Sequence, residues 1–171
     1  MKKELHKLVL SEISLYYGKV DMPEGWEIDR NFISHEILQS KLNNKNIHTS
    51  RTFDKLESYI REYIYLRHKI SLRLKKFWGN IYSPLEHSSP LKDVDPVDLR
   101  NSPDFTMLYG VNVEDCIIKI HYDDNRRANR TWEIPLINNK FVMFPSSCMY
   151  RVLNNQKENL NFILTTTHEF V

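Results

Sequence analysis

Between Phe105 and Thr167 the chain falls into six short apolar stretches: Phe105–Val113, Cys116–Tyr122, Thr131–Leu136, Phe141–Phe144, Met149–Leu153 and Leu160–Thr167. The joints between them are rich in Asn, Asp, Pro and Ser, the residues of turns. No helix is written between these strands, so neighbours must pair antiparallel, and the shapes left open are a barrel or a sandwich. One more strand precedes them. Ile70, Leu72 and Leu74 alternate with Ser71, Arg73 and Lys75, a half-buried pattern that continues to Phe77–Tyr82.

The first third of the chain has a different period. Leu5, Leu8, Val9, Ile13 and Tyr16 recur at helical spacing, which predicts a helix over 3–17 ended by Gly18. A second helix is expected over Arg30 to Leu42, burying Phe32, Ile33, Ile37 and Leu38. A third should start at an N-cap of Thr49 or Ser50 and run to about Leu66. Its inward stripe is Phe53, Leu56, Ile60, Tyr63, Ile64 and Arg67, with Glu57, Arg61 and Glu62 outside. A chain of 171 residues is long enough for one real core and short for two. The expectation is therefore one α+β domain over 1–171, with a helical layer over 1–69 on a β core over 70–171. Between them, Ser83 to Asp104 carries four prolines and reads as a long loop, a length more often functional than idle.

Composition narrows the partners. With 24 basic and 22 acidic residues the net charge is +2, so nucleic-acid binding would need a local basic cluster, and none is long. Nothing approaches the roughly 18 apolar residues of a membrane span, and the charged Met1-Lys2-Lys3-Glu4 start is neither signal nor anchor. A cytoplasmic protein is expected. The two cysteines, Cys116 and Cys148, sit in or beside strand-like segments without CxxC spacing, which suits reduced core thiols.

Taken in order, Ile70–Leu74 leading to Trp78–Tyr82, Phe105–Tyr109, Asn139 through Phe144-Pro145-Ser146 to Tyr150-Arg151-Val152, and Leu160–Leu164 make the chain resemble the 2-oxoglutarate/Fe(II)-dependent oxygenases of the prolyl-hydroxylase-like type, small versions of which occur in bacteriophages. The resemblance covers roughly Ile70 to Val171 and implies a double-stranded β-helix, a jelly roll of the cupin-like kind. It also implies a site. Such enzymes hold Fe(II) by two His and one carboxylate, leaving open positions for the keto acid and oxygen, and pair the keto acid's distal carboxylate with a cation. Five residues beyond the proline of the Phe144-Pro145-Ser146 corner, where the last ligand would stand, this chain has Tyr150. Near Asn159 to Asn161, where the cation would stand, it has Asn-Leu-Asn. Upstream of Phe105 there is no His-x-Asp, and the candidate ligands are His87, Asp93 and Asp95. One literal His-x-Asp exists, His121-Tyr122-Asp123, at the end of a strand and without a third partner in recognisable spacing.

These departures imply an oxygenase-like viral protein that acts by binding, with no cofactor. The alternatives are an active hydroxylase using Fe(II) and 2-oxoglutarate with substituted ligands, and a phage virion or assembly component. The binding residues expected are Tyr150 and Arg151 together with Arg126, Arg127 and Arg130 of a mixed-charge hairpin, and they point to a protein partner or a small anion. Asp123 and Asp124 can neutralise two of those arginines locally. No P-loop, GxGxxG, HExxH or GxSxG occurs, and Ser146, Ser147 and Cys148 have no base at a recognisable spacing.

Overall fold

In a computed structural model, which describes residues 13–20, 24–43, 51–123 and 129–171, ten main elements follow one another. They are β1 (Tyr16–Lys19), α1 (Arg30–Leu42), α2 (Arg51–His68), β2 (Leu72–Tyr82), β3 (Phe105–Asn112), β4 (Cys116–Tyr122), β5 (Arg130–Leu136), β6 (Lys140–Pro145), β7 (Met149–Asn154) and β8 (Asn161–Phe170). The strands make a five-stranded sheet in the order β1-β6-β3-β8-β2 and a three-stranded sheet in the order β5-β4-β7. Every ladder is antiparallel. The result is a β-sandwich of jelly-roll kind with two helices.

The long loop contributes to the smaller sheet. His87 bridges Leu153 and Leu91 bridges Tyr150, so residues 86–91 lie along β7 despite Pro90. The bonds are Ser88 N–H to Val152 O at 2.9 Å, and Leu91 N–H to Tyr150 O at 2.8 Å with its return at 2.9 Å. The run starts beside the end of β7, where Asn154 N–H donates to Glu86 O at 2.9 Å, and reaches the start of β7 at Leu91.

Strand alternation divides the core in two. On β3, Phe105, Met107, Tyr109 and Val111 share a buried cluster with Ile33 and Ile37 of α1 and Phe53, Leu56, Ile60 and Ile64 of α2. The opposite phase, Leu108 with Ile118, Ile134, Val142, Phe144, Val152 and Ile163, fills the space between the sheets. Among the described residues no helix is long and apolar enough to cross a membrane.

Four expectations on the helices are corrected. Of the helix expected over 3–17, residues 1–12 lie outside the described residues, and its described end is a strand. Tyr16–Lys19 pairs with β6, and Gly18 stands mid-ladder opposite Phe141 rather than at a helix end. Two adjacent tyrosines suit a strand, and β6 offers them an edge. Phe32 is 46% exposed, because α1 turns Ile33 and Ile37 inward and leaves Phe32 off that stripe. Arg67 is exposed near the end of α2. Glu57, expected outside, is 4% exposed: its carboxylate meets Arg61 Nε at 2.5 Å and His168 Nε2 at 3.3 Å. The proposed caps Thr49 and Ser50 lie outside the described residues. α1 is capped by Asp29, whose Oδ1 accepts from Phe32 N–H at 2.9 Å.

Candidate functional site

The corner Pro145-Ser146-Ser147-Cys148 turns β6 into β7, closed by Cys148 N–H to Pro145 O at 2.9 Å. Alternation along β7 then sends Tyr150, Val152 and Asn154 inward. Tyr150 is 2% exposed, and its ring lies 5.1 Å from that of Phe144. The loop brings in the Asp93 carboxylate two residues after Leu91 bridges Tyr150, and its charge acts on the phenol. Asp93 Oδ2 accepts from Thr106 Oγ1 at 2.8 Å. Thr106 has one proton and gives it to Asp93, so the 2.9 Å contact with Ser146 Oγ is Ser146 donating to Thr106. The barrel mouth thus holds a chain of hydrogen bonds from Ser146 through Thr106 to Asp93, next to the buried ring of Tyr150.

Burial, then the charge of Asp93 and the neighbouring Tyr82 push the Tyr150 phenol above its ordinary value of 10. Tyr82 moves the same way, first through burial and then through Cys116, Glu86 and Asp93. Both are protonated at neutral pH. Beneath them the interior is apolar, and its far end is closed by two buried amides. Asn161 Nδ2 donates to Asn154 Oδ1 at 2.7 Å, and Asn154 Nδ2 donates to the carbonyls of Tyr82 and Ser83 at 3.1 and 2.8 Å. At the rim of the mouth a cavity of about 160 Å³ is lined by Leu15, Ile120, Trp132, Phe144 and Cys148 among others.

No protein-family model matches this chain, and no curated protein matches it by sequence. Solved structures match it by shape. A prolyl-4-hydroxylase from Pseudomonas putida superposes with a TM-score of 0.62 at 12% identity, over 91% of this chain and 87% of that one. A viral collagen prolyl hydroxylase from Paramecium Bursaria Chlorella virus-1, in complex with 2-oxoglutarate, gives 0.60 at 10% identity over 90% and 94%. AviO1 from Streptomyces viridochromogenes Tue57 gives 0.62 at 9% identity over 92% and 90%. The fold is that of the 2-oxoglutarate/Fe(II) oxygenases. At these identities the likeness is one of oxygenase fold alone.

Within that oxygenase fold the expected site residues are scattered. Asp93 and Tyr150 meet. His87 is exposed in the ladder with β7. Asp95 is exposed and its Oδ1 accepts from Val97 N–H at 2.8 Å, a local turn. His121 is on the outward phase of β4, with Nε2 buried and without a hydrogen-bond partner among the described residues. Asp123 Oδ1 accepts from Asn129 N–H at 2.8 Å, and both residues line a cavity of about 300 Å³ with His121 and Lys92. Arg151 is exposed on the outward phase of β7, and Arg130 is exposed at the start of β5. Arg126 and Arg127 lie outside the described residues.

The residues at the mouth do not fit an Fe(II) triad. Among the described residues no three His, Cys, Asp or Glu side chains come together. The carboxylate at the mouth, Asp93, accepts from the Thr106 hydroxyl, and Asn161, at the head of β8, spends its amide on Asn154 and the Glu114 backbone. Sequence reasoning missed Thr106 as a member of this group. The signal available was its place on the inward phase of an otherwise apolar strand.

Proposed function

We propose that this chain keeps the oxygenase fold and works by binding rather than by iron chemistry. The observation that supports this reading is the burial of Tyr150, its ring packed 5.1 Å from that of Phe144. The side chain standing where the resemblance puts the last ligand is a phenol held protonated, a poor donor to a divalent metal. The carboxylate nearest to it is already engaged by Thr106.

The test is anaerobic reconstitution of the full chain with Fe(II) and 2-oxoglutarate, reading metal content after desalting and succinate formed on admitting oxygen. No retained iron and no succinate above the buffer control is expected. Stoichiometric iron with turnover would overturn the reading. Tyr150→His should not recover iron either, because one added imidazole leaves the ligand set incomplete.

A second reading, an active hydroxylase with substituted ligands, is favoured by neighbours solved with 2-oxoglutarate, or with Fe3+ and α-ketoglutarate. It would draw on Asp93 with His87, Asp95, His121 or Asp123, and the same turnover assay decides it. A phage origin, a cytoplasmic setting and a protein or small-anion partner belong to our proposal. Co-sedimentation with phage particles in fixed copy number would point to a virion component instead.

A further inference from the structure

At the opposite end of β3 and β6 from the mouth lies an open groove of about 1150 Å³, walled by the end of β1, the start of α1, the end of β3 and the β5–β6 turn. We propose that this groove binds a neutral carbohydrate chain, a second site that stands whether or not the mouth takes iron.

Ile137 O accepts from Lys140 N–H at 3.1 Å, and Asn139 takes a positive φ of 61°, which asparagine tolerates. Two donors fix the orientation of the asparagine amides. Asn138 Oδ1 accepts from Val113 N–H at 2.7 Å, and Asn139 Oδ1 accepts from the Tyr109 hydroxyl at 2.9 Å. Each oxygen is therefore occupied from the protein side, and neither NH2 group has a hydrogen-bond partner among the described residues. Asn31 and Asn112 line the same groove.

Trp26 and Ile28 also line the groove, both half-buried and packed on the helix-side core, and Trp26 borders a second cavity beside α2 as well. The indole is thus held in place by the core while it lines the groove. The charges cancel: Lys19 and Arg30 stand with Glu27 and Asp29. An anionic ligand would meet two carboxylates, and a cationic one would meet two cations and the amide NH2 groups.

What remains is a ligand with many hydroxyls, no net charge and a C–H face to lie on an indole, which is a sugar. The groove exceeds the roughly 300–1,000 Å³ of typical small-molecule sites, which favours several linked units over one.

Isothermal titration of the full chain with maltohexaose, cellohexaose and chitohexaose, each to about 10 mM, tests the proposal. At least one should bind, with a change in tryptophan fluorescence. Trp26→Ala should weaken that binding by about tenfold or more. Because truncating a core-packed indole can disturb folding, Asn138→Asp is the second variant: it keeps the acceptor for Val113 N–H and removes the NH2 donor. It should weaken binding by about two- to tenfold with an unchanged circular dichroism spectrum. Binding of none of the three, or binding unmoved by both variants, would overturn the site. So would saturable binding of inorganic phosphate that Asn138→Asp abolishes, which would make the groove an anion site.

Discussion

Tyr150 is buried against Phe144 and feels the charge of Asp93, and what its hydroxyl contributes has a measurable size. Tyr150→Phe keeps the ring against Phe144 and deletes the donor, so it should cost about 1–2 kcal/mol in denaturant unfolding. An unchanged midpoint would mean that the hydroxyl contributes nothing to stability. Glu57 makes a second case. Burial alone would raise its carboxyl, but the bond from His168 and the bond and charge of Arg61 outweigh it and hold it below the usual 4.5. The unfolded chain protonates near 4.5 and the folded one lower. This contribution is therefore full above 4.5 and is lost as pH falls through the lower folded value. Glu57→Gln should lower stability at pH 7 by about 1–3 kcal/mol and flatten the profile of Tm against pH below 4.5. An acid limb as steep as before would assign it to other carboxylates. Arg61 stands one turn from Glu57, but the distant partner could not be read locally. His168 lies 111 positions from Glu57, and a lone Glu on a helix is ordinarily a solvated one.

At the scale of elements the β half was the more legible, because alternation is a local signal and each turn is marked by its own residues. β4 begins and ends where its apolar pattern does, at Cys116 and Tyr122. β1 was not legible, since a strand of four residues carries too few positions to show a period and is decided by the edge it joins. Thr106 was missed for a related reason: its hydroxyl has meaning only once the loop has brought Asp93 over it. The fit between elements is tightest at Gly110. A Cβ there would stand 2.3 Å from Ile137 O, a backbone atom of the β5–β6 turn. Gly110→Ala should therefore destabilise by about 1–3 kcal/mol and, by moving Asn138 and Asn139, weaken any ligand of the groove. Wild-type stability in that variant would show that the turn shifts without loss.

For the molecule as a whole, three buried phenols set an alkaline limit. Tyr82, Tyr109 and Tyr150 are each raised above 10, in every case chiefly by burial. Below pH 10 both folded and unfolded chains keep these protons. Above it the unfolded chain releases them and the folded one does not, so stability falls as pH climbs past 10. A Tm profile between pH 8 and 11 should bend downward there, and Tyr150→Phe should soften the bend; a flat profile would mean that the phenols reach solvent. The fold could be read because order and spacing of strands survive large changes of side chain, whereas a site rests on three or four atoms meeting. The same pairing has a consequence for synthesis. Among the described residues β2 pairs only with β8, Leu72 opposite Phe170 and Tyr82 opposite Asn161, so a chain emerging from the ribosome carries β2 without that partner until almost all the rest has been made. Contacts so distant along the chain slow folding and lengthen the exposure of an open strand. Arg73, Lys75 and Lys76 put positive charge on that open strand, which disfavours its pairing with another chain.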